Sequence, residues 1–235
     1  MTVQLQNARE KSHGFYLGAA VLLSILVFVG FGPTFYFKVF SAEAAFSSVI
    51  WLHGTLFTAW MLVLLAQTLL VSAGRVDLHM RLGWLGAAIG AAMIGVGFET
   101  AVVAGRLGHA PPGVPPLPFM VIPIFAIIEF AILFGLAILL RARSETHKRL
   151  ILLATIVISA AGIARLPIPI AGSPPGFFAI ADLFIIAGMI YDWRTYGRVH
   201  PVYKIAGTLV ILSQPVQLML MGTEGWLGVA NWLIA

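Results

Sequence analysis

Along this chain, apolar runs of membrane-crossing length alternate with short polar interruptions. A helix needs about 20 residues to cross a hydrocarbon core of about 30 Å. Seven runs reach or approach that length: residues 15–36, 46–72, 82–105, 117–140, 148–171, 176–193 and 202–222. The sixth is the shortest. Between later runs lie Gly74-Arg75-Val76-Asp77, the Pro/Gly-rich segment from Pro111 to Pro118, Arg141 to Arg149, Gly172 to Gly176, and Asp192 to Pro201. The pattern predicts an all-α polytopic membrane protein, a single transmembrane domain over residues 1–235 built as a seven-helix bundle. The short links make sequential helices antiparallel neighbours. No small-x-small cleavage site convincingly follows the first run; Gly32-Pro33-Thr34-Phe35 leads into more aromatic residues, so that run is expected to stay as a helix. Trp226 and Trp232, in the apolar tail, predict an outer-interface helix or a re-entrant piece. No loop is long enough for a soluble domain.

Composition agrees with the pattern. Of 235 residues, 60% are hydrophobic and only 10% charged, against about 45–50% and 25% in soluble domains. Mean hydropathy is +0.98. With no cysteine, a disulfide scaffold is excluded.

The net charge of +5 takes its meaning from position. With a cytoplasmic N-terminus, the inner face receives eleven basic residues: Arg9, Lys11, Arg75, Arg81, Arg141, Arg143, Lys148, Arg149, Arg194, Arg198 and Lys204. The outer face keeps two, Lys38 and Arg106, and Arg165 falls within a run. This asymmetry predicts an N-in, C-out orientation. The partner implied is the lipid bilayer, whose anionic leaflet accounts for the basic excess, and not nucleic acid.

Several polar residues fall where lipid would penalise them: Glu99, Glu129, Arg165 and Asp182, beside His53. Facing lipid, each charge would cost about 2.5–3.5 kcal/mol, and four together roughly 10 kcal/mol or more, comparable to a protein's net stability. They are expected to face the interior, pair, or be neutral. At about 1.5 Å per residue from the basic ends, His53, Glu99 and Arg165 lie roughly 25–28 Å up, and Glu129, Asp182 and Gln214 roughly 16–18 Å. The outer half therefore gathers ionisable groups from five runs and an amide from a sixth. Glu99 shares a helical face with Ala88, Ala92 and Gly95, a small-residue stripe suited to close helix approach. The Gly86-x-x-x-Gly90 spacing is read as packing on a neighbouring helix. Pro215 predicts a kink beside Gln214. Carboxylates left over once Arg165 is paired can carry protons near neutral pH, and His53 at their depth can relay or ligate.

A second set lies at the inner interface. The last six runs read as three hairpins, each with a histidine at its cytoplasmic turn: His79, His147 and His200. Three imidazoles suit zinc or copper, and two suit a bis-histidine haem. Adjacent Arg and Lys residues oppose a cation there. Phosphate-cradling G-x-x-x-x-G-K-[ST], H-E-x-x-H and G-x-S-x-G sequences are all missing. Residues 205–222 hold no lysine, so the chain lacks what a retinal protein needs.

Leu52-His53-Gly54, Gln67, His79-Met80-Arg81-Leu82-Gly83 and His147-Lys148-Arg149-Leu150 with Arg165 downstream resemble recurring features of multi-pass bacterial membrane proteins known only as domains of unknown function. The resemblance covers roughly residues 50–200. It implies a bacterial inner (cytoplasmic) membrane protein and carries no assigned activity. Transmembrane b-type cytochromes are similar in placing histidines on neighbouring helices.

The sequence thus supports binding or transport of a small polar ligand or proton at an outer-half site of His53, Glu99, Glu129, Arg165, Asp182 and Gln214. The alternatives are a redox protein with haem or copper on His79, His147 and His200, and a metal-dependent intramembrane hydrolase. Whether the chain is an enzyme stays open.

Overall fold

The computed structural model describes residues 2–41 and 46–235, with side chains from His13 onward. Arg9 and Lys11, counted above for orientation, have side chains outside the described residues. Among the described residues there is no strand, and the longer α-helices are α1 (Thr2–Phe31), α2 (Ser48–Ser72), α3 (Val76–Arg106), α4 (Val121–Leu139), α5 (Ser144–Ile163), α6 (Pro174–Tyr196), α7 (Thr208–Leu220) and α8 (Glu224–Ile234). Six helical segments are long and apolar enough to cross a membrane. A seventh span results if the bent pair Tyr203–Leu220 and Glu224–Ile234, turned by 88°, is taken as one. The chain is therefore an integral membrane protein with an all-α polytopic bundle.

Local chemistry sets the helix ends. Ser47 caps α2 by accepting from the Ile50 amide at 3.4 Å, and Ser173 caps α6 from Gly176 at 3.3 Å, with Pro174 and Pro175 opening the first turn. Gly197, at φ +67°, ends α6 in the left-handed region. That full-length α6 replaces the short sixth run read from the sequence.

The fifth run ends sooner than 171. Backbone around Pro167 and Pro169 cannot continue a helix, so α5 stops at Ile163 and a 3-10 turn, Pro169–Gly172, leads to α6. Arg165 consequently lies in the connecting turn and not inside a span. The seventh run also differs. Pro215 sits within a continuous α7, whereas the sharp bend comes after Leu220, where Thr223 caps α8 by accepting from the Trp226 amide at 3.3 Å. Trp226 Nε1 donates to the Leu117 carbonyl at 3.1 Å, and Arg106 Nε to that of Ile234 at 2.8 Å. These bonds tie α8 to the C-terminal end of α3 and to the segment just before α4, while Trp232 stays exposed.

Packing centres on α5. Every residue from Leu152 to Ala160 is buried, so this helix is enclosed by α1, α4 and α6. Its polar positions are satisfied inside: Trp60 Nε1 donates to Thr155 Oγ1 at 3.2 Å, and Thr155 and Ser159 each donate to a carbonyl one turn back. Trp60 meets Phe130 and Phe134 edge-on, with ring centres 5.3 and 5.7 Å apart. Helix α3 enters this core through Gly86, Gly90, Gly97, Ala101 and Gly105, all buried. A Cβ at Gly90 would stand 2.6 Å from the Phe134 ring and 3.0 Å from Trp60. The Gly86–Gly90 pair is thus used within the chain.

Candidate functional site

The most deeply buried charges lie at the basic end: Arg149, which the sequence places among the orientation-setting residues, and Asp192, which it places at the start of a polar interruption. Arg149, one turn into α5, is 1% exposed and Asp192, near the end of α6, 0%. Arg149 Nε donates to Asp192 Oδ2 at 3.0 Å, and its Nη2 pairs with Oδ1. Nη1 donates to the Glu145 carboxylate and carbonyl, each at 2.7 Å. The Tyr196 and Tyr203 rings stand 5.7 and 5.9 Å from the guanidinium. A third bond to Asp192 comes from the His200 amide at 3.1 Å, and His200 Nδ1 accepts from the Val202 amide at 3.2 Å. Burial, reinforced by Arg149, holds the His200 imidazole below its ordinary range, in keeping with a neutral acceptor. The arrangement clamps three helical segments together. A periodicity signal was present: Asp192 continues the buried face Ala181–Ile185–Gly188, and Arg149 the face of Leu152, Leu153 and Ile156.

The outer-half residues do not converge on one point. His53, on α2, stacks on Phe57 with ring centres 4.0 Å apart, and its Nδ1 is buried without a hydrogen-bond partner. It lies within reach of the Arg165 charge. Arg165 itself covers the Phe31 ring at 4.6 Å and donates to the Ala161 carbonyl at 2.6 Å. A separate group lies between α4, α6 and α7. Gln214 Nε2 donates to Asp182 Oδ1 at 2.7 Å, Gln217 Nε2 to Ser213 Oγ at 3.1 Å, and Glu129 reaches Ser213. Among the described residues no ion pair joins Arg165 to Glu99, Glu129 or Asp182.

Glu99 stands apart. With Ala88, Ala92 and Gly95 it occupies the exposed face of α3, against the expectation of an interior position. The opposite glycine stripe lets Trp60, Ile127, Phe134 and Met120 approach closely, and that packing determines which face turns inward.

The three inner histidines also divide. His200 belongs to the Arg149–Asp192 clamp. His79 and His147, in the first turns of α3 and α5, come together with ring centres 6.5 Å apart and planes at 80°. Among the described residues no three His, Cys, Asp or Glu side chains form a group able to hold a metal. The tri-histidine zinc or copper centre, and the hydrolase that needs one, therefore lack their ligand set.

His79 and His147 line a cavity of about 670 Å³ among α1, α2, α3, α4 and α5. Its wall is largely apolar, with Trp60, Leu64, Phe134 and Leu152 at depth. Polar groups gather toward the basic end: His13, Gln67, Arg141 and Lys148. Lys148 pairs with Glu145 at 2.6 Å and covers the Tyr16 ring at 4.9 Å. His147 Nδ1 lies 2.9 Å from the Ala137 carbonyl, which can only accept, so Nδ1 carries a proton and, in the neutral ring, Nε2 is the nitrogen with the lone pair. Gln67 Oε1 and His79 Nδ1 are each buried without a hydrogen-bond partner, and the His79 ring faces the Gln67 main chain. Gln67 was legible as part of a motif; the cavity itself was not, because five helices build it. Its chemistry suits a molecule with an apolar body and a polar or anionic end. No protein-family model, curated protein or solved structure matches this chain.

Proposed function

We propose that this chain is a multi-pass protein of the bacterial inner membrane, oriented N-in and C-out, that binds a small amphipathic molecule in the cavity between α1, α2, α3, α4 and α5. The observation that carries the reading is the size and lining of this half-open cavity. A space of about 670 Å³ falls in the range of about 300–1,000 Å³ typical of ligand sites, and its polar groups are concentrated at one end. The apolar body would lie against Trp60 and Phe134, and the polar end beside Gln67, His79 and His147. The placement of basic residues, eleven against three once Arg165 is counted in the turn after α5, supports the orientation and with it a polar end of the cavity at the cytoplasmic interface. The resemblance to multi-pass bacterial membrane proteins supports the location.

One observation favours a second reading, the handling of a proton or small polar ligand in the outer half. Asp182, Gln214, Glu129, Ser213 and Gln217 form a polar line within the membrane-spanning region. One experiment separates the two. A long-chain carboxylate bearing a diazirine is added to the protein in nanodiscs, photolysed, and its adducts mapped. The cavity reading predicts labels on α2, α3 and α5 around Gln67, Gly83 and Ile151. A Cβ at Gly83 points at Gln67 Nε2, 3.6 Å away, so Gly83→Phe should fill the space and weaken that labelling about tenfold, equivalent to about 1.4 kcal/mol. Labels on the lipid-facing Leu183 and Leu209 should not change. Adducts concentrated around Glu129, Asp182 and Gln214 would favour the second reading. Adducts spread evenly over lipid-facing residues, unaffected by Gly83→Phe, would contradict the first.

A further inference from the structure

We infer that the cavity is a binding site for b-type haem, with His79 and His147 as the two axial ligands. The inference rests on the cavity reading above and names its occupant. Three independent features of the site carry it.

The first is the spacing of the imidazoles. Two histidines bound to opposite sides of one metal, each at about 2.0–2.1 Å from nitrogen to metal, place their ring centres about 6 Å apart. The observed separation is 6.5 Å, between side chains on different helices that border the same space. The 80° angle between ring planes is compatible with this, because an axial imidazole can turn about its metal–nitrogen bond.

The second is the state of the nitrogens. The Ala137 carbonyl holds the His147 Nδ1–H, which makes Nε2 the ligating nitrogen of the neutral ring. His79 has a buried Nδ1 without a hydrogen-bond partner, and the neighbouring group is the Gln67 main chain. A small movement that closes Nδ1–H onto the Gln67 carbonyl would fix the same tautomer at His79 and leave its Nε2 as the ligand. A hydrogen bond from the non-ligating nitrogen is the usual support of a metal-bound histidine.

The third is what the protein does not supply. Among the described residues no third His, Cys, Asp or Glu joins the pair. A metal held here by two histidines must bring its other ligands with it. A porphyrin brings four, has an apolar body suited to the wall formed by Trp60, Leu64, Phe134 and Leu152, and carries two carboxylates. At the polar end, Arg141, Lys148 and His13 are placed to meet those carboxylates.

The test is titration of the purified protein with ferric protoporphyrin IX in detergent, followed by its absorption spectrum before and after reduction with dithionite. The expected result is a saturable shift to a sharp low-spin Soret band at one haem per chain. His79→Ala or His147→Ala should weaken binding about tenfold or more, while His200→Ala, in the Arg149–Asp192 clamp, binds as wild type. His79→Met keeps a ligand atom in place and should retain the pigment with an altered reduced spectrum, which guards against misfolding of the alanine variants. A wild-type protein that gives no saturable Soret shift would overturn the inference, as would variants that all bind like wild type. If the diazirine probe labels the cavity but no Soret shift occurs, haem is the wrong occupant and the cavity reading stands; if both fail, both are withdrawn.

Discussion

Asp192→Ala is expected to be among the most damaging single substitutions in the molecule, costing about 3–5 kcal/mol. Asp192 and Arg149 are 0% and 1% exposed, so removing the carboxylate leaves a guanidinium that water cannot reach. Glu145 still holds Nη1, but Nε and Nη2 lose their acceptors. The His200 amide loses its acceptor as well, so the segment entering α7 is released from α6. Thermal unfolding in detergent, followed by intrinsic fluorescence, should show a large fall in the midpoint. The double variant Asp192→Leu with Arg149→Met should recover much of the loss, because a packed apolar pair carries no desolvation cost. An Asp192→Ala protein that melts with the wild type would show that the clamp contributes nothing to the bundle.

Gly162→Leu should have an effect of comparable size through a different cause. Here α1 and α5 cross with backbones nearly touching: a Cβ at Gly30 would run into the Gly162 carbonyl, and one at Gly162 would stand 2.9 Å from Val27 Cα. Neither obstacle is a side chain that can rotate away. A leucine must separate the helices, and overpacking of this kind costs about 1–3 kcal/mol or more. The separation would also draw Phe31 from Arg165, which now covers its ring. Gly135→Leu on α4 is the matched control, since a Cβ there meets nothing within 4 Å. Denaturant unfolding of the two variants should place Gly162→Leu well below Gly135→Leu; equal stabilities would contradict the close crossing.

The membrane class and the helices were legible because length and hydropathy report directly on the solvent around a helix. The features that were missed share one property, dependence on which neighbours a residue meets. Helix α3 carries two small-residue faces, one with Glu99 and one with Gly86, Gly90 and Gly97, and composition alone does not say which turns inward. Arg149 and Asp192 stand at the edges of polar turns, where sequence position gives them the look of an orientation signal and a linker, although their helical faces continue buried residues. The histidine repeat was visible, but its division was not. His79 and His147 meet because α3 and α5 border one cavity, whereas the bonds to Asp192 and Val202 hold His200 elsewhere. Arg165 was displaced from its expected span by Pro167 and Pro169, a breaker signal that the apolar character of the surrounding residues had masked.

The most direct measure of the central claim is whether the cavity is occupied in the membrane. Native mass spectrometry of protein extracted in mild detergent is expected to show a bound molecule that survives removal of loosely held lipid. Ala87→Phe, which fills the cavity from α3, should lose that molecule, whereas Ala88→Phe, on the exposed face of the same helix, should retain it. Identical bound species in the wild type and both variants, or none in any of them, would contradict the claim that this cavity is where the protein acts.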